Sequence, residues 1–158
     1  MESSSLNNTE KETITAKQIF MEKFSGRLIG ILKWEQLNEL WQVLQAQNMD
    51  NWYIYHIGDD IPQEVCQIEH FQQFLVEINK LLRHDHQERY CGIVYVDDKA
   101  KPEFIKIYDP NNLGQVCGSS GVPPPLPGWI LSKVQPIDLE VAMPPPGNRK
   151  RWWQKIFS

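Results

Sequence analysis

The amino-acid sequence predicts a small α+β domain, a mixed sheet of about four strands packed with two or three helices. Three observations predict it. Leu37, Leu40, Trp41 and Leu44 recur at helical spacing, as do Phe71, Phe74, Leu75, Ile78, Leu81 and Leu82 over a longer stretch. Trp52-Tyr53-Ile54-Tyr55-His56-Ile57 and Phe104-Ile105-Lys106-Ile107-Tyr108 are aromatic and β-branched runs of strand length, bounded by turn residues. Cys91-Gly92-Ile93-Val94-Tyr95-Val96 is almost continuously apolar, as expected of a central strand covered on both faces.

Along the chain, residues 1–12 are rich in Ser, Asn and Glu and read as a disordered lead. Thr13 or Thr15 can cap a short helix that runs to about Phe24, with Ile19, Phe20 and Phe24 on its apolar face, and Ser25-Gly26 ends it. Leu28, Ile29, Ile31 and Leu32 form a run too short for periodicity to choose between strand and helix. A helix is expected from about Trp34 to Gln47, with Asn48 as terminator, then a strand over residues 52–57 that ends at Gly58-Asp59-Asp60. The second long helix is expected over about Glu64 to His84.

Asp97 to Pro102 reads as a hairpin loop between the 91–96 strand and an antiparallel return over 104–108. Asp109-Pro110-Asn111-Asn112-Leu113-Gly114 is dense turn chemistry, and a Gly- and Pro-rich stretch follows to Gly128. Trp129 to Val134 supplies a last strand. Met143-Pro144-Pro145-Pro146-Gly147 is a stiff, extended spacer that closes a single domain over 13–142 and opens a tail over 143–158. The 52–57 strand, the second long helix and the 91–96 strand have the order of a right-handed parallel crossover.

At 158 residues one domain is the expectation, large enough to fold without disulfides or metal. The first 13 residues are polar, without the pattern of a signal peptide, and the three cysteines Cys66, Cys91 and Cys117 are odd in number and far apart. Reduced thiols in a cytoplasmic protein follow from that reading. A net charge of −4 weighs against sequence-independent nucleic-acid binding.

Three constellations could carry chemistry. Under a parallel crossover, Asp59 and Asp60 share a sheet edge with Asp97 and Asp98, and Glu103 begins the return strand there, an oxygen-rich set suited to a hard cation. Aspartates are also favoured in the turns that follow strands, and that reading is preferred. His84, Asp85, His86 and Cys91 include zinc-ligand types, but lone cysteines do not make a zinc spacing, so the imidazoles are read as capping a helix C-terminus. Cys117, between Val116 and Gly118-Ser119-Ser120-Gly121, could present a nucleophile, although no base can be assigned to it. No cofactor is expected.

Charge is distributed unevenly. From Trp34 to Asn79 there is no Lys or Arg, while Glu35, Glu39, Asp50, Asp59, Asp60, Glu64, Glu69 and Glu77 fall in the same stretch. Arg149-Lys150-Arg151-Trp152-Trp153-Gln154-Lys155-Ile156-Phe157 is the converse, with four cations, no acid and four large apolar side chains that need a surface to cover them. That surface can be the chain's own domain, a protein partner or an anionic membrane. The expected function is therefore a non-catalytic accessory or adaptor protein. It would bind a protein partner through an acidic helical face, an irregular 109–128 loop and the basic-aromatic tail. Asp109, Asn111, Asn112, Trp129, Arg149, Arg151, Trp152, Trp153 and Phe157 are the expected binding residues. The alternative is a small thiol-dependent enzyme or redox regulator centred on Cys117.

Overall fold

The computed structural model describes residues 16–113 and 126–139. Helix α1 covers residues 16–25. It is followed by β1 (Ile29–Ile31), α2 (Trp34–Ala46), β2 (Tyr53–His56), α3 (Ile68–Asp85), β3 (Val94–Val96), β4 (Phe104–Ile107), a single 3-10 turn (Pro110–Asn112) and β5 (Trp129–Ser132). The strands form one sheet in the order β1-β3-β4-β5-β2. Every neighbouring pair is antiparallel.

The α+β reading stands, with five strands rather than about four. The extra one is the Leu28–Leu32 run: β1 pairs with β3, and the Cys91 and Gly92 amides donate to the Leu32 and Ile31 carbonyls at 2.8 and 2.9 Å. The expected parallel crossover is corrected. β2 and β3 are separated by β4 and β5, and three successive antiparallel pairings make them run in opposite directions. The sheet is accordingly not mixed. The cause lies in β5, whose four residues are all buried and which bonds to β2 on one side and β4 on the other.

Alternation along the strands separates two cores. On one face, Leu37, Leu40, Trp41 and Leu44 of α2 and Phe71, Leu75, Ile78 and Leu82 of α3 pack over Val94, Val96, Ile105, Ile107, Trp129 and Leu131. Trp52 stacks on Phe71 with ring centroids 5.3 Å apart and planes 12° from parallel. Trp41 Nε1 donates to Asn79 Oδ1 at 3.0 Å, which fixes α2 against α3. On the other face, Phe20 and Phe24 of α1 join Tyr55, Ile57, Phe104, Ile130, Leu126 and Leu139. Phe20 meets Phe104 edge to face at 5.6 Å.

Local chemistry sets the helix boundaries. At the start of α2, Gln36 Oε1 accepts from the Leu32 and Lys33 amides, which would otherwise be orphaned at a helix N-terminus. Helix α3 begins at Ile68, later than its sequence pattern suggests, because the Cys66 amide donates to the Trp52 carbonyl at 2.8 Å and holds that segment out of the helix. Among the described residues, no helix is long and apolar enough to cross a membrane.

Candidate functional site

At one end of the sheet β2 and β4 finish and β5 begins, so His56, Trp129 and Ile107 form a single cross-strand row. His56 stacks on Trp129 with centroids 5.6 Å apart and planes 19° from parallel. Its Nδ1 lies 2.8 Å from Asp59 Oδ2. The bond orients the imidazole from the loop that follows β2.

Asp109 leaves β4 at the same end. Its Oδ1 accepts from the Asn111 amide at 2.9 Å and so caps the 3-10 turn. Asp109 is only 4% exposed, so desolvation raises its pKa. The neighbouring Asp85 charge acts in the same direction, while the Asn111 hydrogen bond and His56 oppose it. Asn111 Nδ2 donates to Asp85 Oδ2 at 2.9 Å, tying the turn to the last residue of α3. Asp85 is shifted the other way. The His84 hydrogen bond, Nδ1 to Oδ1 at 2.7 Å, lowers its pKa first, and the Asn111 bond second. Asn112 Nδ2 is buried and has no hydrogen-bond partner among the described residues.

Beside this corner lies an open groove of about 510 Å³, lined by Phe74, Glu77, Ile78, Lys80, Leu81, His84, Asp85 and Trp129. Phe74 and Leu81 are half-buried, giving the groove an apolar wall, while Glu77, Lys80 and His84 remain exposed on its rim. Lys80 pairs with Glu77 at 3.8 Å. The groove runs along α3 from Phe74 to Asp85, and its Asp85 end lies in the last turn, where the helix dipole is negative and Arg83 and His84 also stand. Glu77 and Asp85 are its carboxylates; Asp109 is buried behind Asp85 through Asn111, and Asp59, with Asp60 next in the same loop, is joined to Trp129 through His56. Glu35 and Glu39 of α2 and Glu69 in the first turn of α3 are exposed as well, Glu69 at the far end of α3 from Asp85.

Asp109, Asn111 and Trp129 therefore do share one region, with Asn112 adjoining in the same turn. Trp129 forms part of the core as well as the groove, at 5% exposure. Arg149, Arg151, Trp152, Trp153 and Phe157 lie outside the described residues, as does Cys117 with the thiol-enzyme alternative built on it. The other two thiols, Cys66 and Cys91, have their pKa values raised by burial.

The shared acidic edge is also corrected. Because β2 and β3 are antiparallel and apart, Asp59 and Asp60 stand at one end of the sheet and Asp97 and Asp98 at the other. Asp97 Oδ1 accepts from the Asp98, Glu103 and Phe104 amides, and Asp98 Oδ1 accepts from those of Ala100 and Lys101. These carboxylates shape the β3–β4 hairpin. The imidazole-capping reading is corrected: His86 occupies the C-cap of α3 through its backbone amide, which donates to the Leu82 carbonyl at 2.9 Å, while its Nε2 lies 2.9 Å from the Cys91 carbonyl oxygen and His84 Nδ1 bonds Asp85. Among the described residues, no group of three or more His, Cys, Asp or Glu could hold a metal ion.

Sequence reasoning missed the groove wall. Phe74 and Leu81 belong to the same apolar stripe in sequence, yet at about 100° per residue they stand about 70° and 90° to one side of the centre of Phe71, Leu75, Ile78 and Leu82. That offset was the available signal. The His56–Asp59 pair had none beyond its i, i+3 spacing.

The fold and groove define the chain as an α+β domain with an open, acid-rimmed cleft at one sheet end. No protein family, curated protein or solved structure matches it.

Proposed function

We propose that this chain is a non-catalytic accessory or adaptor protein, and that it binds a partner protein in the groove beside α3. The observation that carries the reading is the composition of that groove. Phe74, Leu81 and Trp129 offer an apolar seat, with Glu77 beside it in mid-helix and Asp85 at the C-terminal end of α3. Apolar anchors supply most of the energy in such contacts, and a charged rim supplies orientation and on-rate. The matching partner segment carries one or two large apolar side chains flanked by Lys or Arg. The exposed glutamates of α2 and α3 extend the attraction beyond the groove.

The test places a photo-crosslinking side chain at Leu81 of the full chain and maps what it captures in cells. Basic-aromatic or basic-aliphatic segments of one or a few proteins are expected, lost on Glu77→Lys with Asp85→Lys. Capture that ignores the two reversals, or that maps to segments without cations, overturns the proposal.

A further inference from the structure

We infer that the groove beside α3 is occupied by this chain's own C-terminal segment, Arg149–Phe157, which docks there in cis and must be displaced before a partner enters. The inference rests on the reading of the groove as a peptide seat and names its resident occupant.

Charge complementarity is the first argument. Residues 149–157 hold four cations, no acid, and the large apolar side chains Trp152, Trp153, Ile156 and Phe157. The groove offers the converse: Phe74, Leu81 and Trp129 for the apolar side chains, and Glu77 and Asp85 for the cations. Asp59 and Asp109 lie behind the Trp129 and Asp85 side, through His56 and Asn111. The single lysine on the rim, Lys80, already faces Glu77.

Position and length are the second. The described residues end at Leu139, whose amide donates to the Tyr55 hydroxyl at 3.4 Å. Tyr55 immediately precedes His56, the residue stacked on Trp129. Leu139 therefore sits against the side chain of the residue next to His56, on the opposite face of the sheet from the groove. β2 is an edge strand, and the 57–67 loop returns to its start with the Cys66 amide on the Trp52 carbonyl, so the route from Leu139 to the groove passes round both β2 and that loop. Ten Cα–Cα steps, with nine residues between, separate Leu139 from Arg149. Extended, they span about 33 Å, against a separation of about 10 Å between packed layers.

The experiment uses the full chain with Trp153→p-benzoylphenylalanine, photolysed as an equal mixture of unlabelled and nitrogen-15-labelled protein. Crosslinks from residue 153 to the 74–85 stretch or to Trp129, within molecules of one isotope, are expected. Glu77→Lys with Asp85→Lys lowers their yield about tenfold, as expected for the loss of several partly exposed ion pairs. Adding Arg149→Glu with Arg151→Glu to that background restores it. In case the reversals perturb folding, wild-type yield must also fall at about 1 M salt, where the screening length is about 3 Å.

Mixed-isotope crosslinks assign the segment to a second copy and overturn the inference. Crosslinks elsewhere on the domain overturn it too, as does protection of residue 153 only by vesicles of anionic phospholipid. Failure here is distinguishable from failure of the adaptor reading. A tail that lands elsewhere, with partner capture at Leu81 intact, sinks only this inference. A tail that lands in the groove, with no captured partner, sinks only the adaptor reading.

Discussion

His56 and Trp129 lie face to face across the β2–β5 ladder, centroids 5.6 Å apart, and the imidazole is held from behind by Asp59 at 2.8 Å. The tryptophan thus serves two surfaces at once, the core below and the groove beside it. His56→Ala should cost about 0.5–1.5 kcal/mol, the range for an aromatic pair beyond its buried area. Trp129→Ala should cost about 3–5 kcal/mol, because it also leaves a cavity. Urea denaturation of both variants checks the difference. Equal costs would show that the ring contact, not core packing, dominates at this corner.

Asp109 predicts a pH dependence of stability. Burial raises its pKa in the fold, so between its ordinary value of 3.8 and the raised value the folded state binds more protons than the unfolded one. Stability contributed by this group therefore falls as pH rises through that window. Asp109→Asn keeps an oxygen for the Asn111 amide and removes the titration, so its stability curve should be flatter from about pH 4 upward. Asp85 has the opposite sign. Its lowered pKa contributes stability above 3.8 that is lost as pH falls further, and Asp85→Asn should remove that acid loss. Denaturation series across pH separate the two, and parallel curves for wild type and Asp109→Asn would refute the assignment.

Lys106 lies on the α1 face, its Nζ 3.8 Å from the Phe24 ring centroid. Desolvation lowers its pKa from 10.5 to about 8. Between those values the unfolded chain binds more protons, so stability should rise with pH from about 8 to 10.5. Lys106→Met should abolish the rise and leave the protein more stable than wild type at neutral pH. A wild-type curve flat across this range would contradict the burial of the ammonium.

Asp97 organises the β3–β4 hairpin by accepting three backbone amides on one oxygen. Asp97→Ala orphans those donors and should cost about 1–3 kcal/mol. Asp97→Asn retains the oxygen and loses only the 3.4 Å pair with Lys23, a partly exposed contact expected to contribute about 0–1 kcal/mol. Thermal melts of the pair of variants distinguish a hairpin scaffold from a surface charge, which would give equal costs.

Much of this architecture was legible from local pattern. The stripes at Leu37–Leu44 and Phe71–Leu82 became α2 and α3, and the aromatic and β-branched runs became β2, β4 and β5, because both signals record which side of an element meets the core. Asp109 and Asn111 were readable as turn formers, and they do build the corner beside the groove. The short run at Ile29–Ile31 was not readable, since three residues sample neither periodicity long enough to separate them.

Local pattern was enough for every element but β1, for the burial of their apolar faces and for the one-sided charge of residues 34–79. Which strands are neighbours was settled only by the folded sheet. Pairing β5 between β4 and β2 depends on contacts remote in the chain, which no local spacing encodes. That one choice sent Asp59 and Asp97 to opposite ends of the sheet. It also brought Trp129 against His56 and beside the end of α3, where the groove lies.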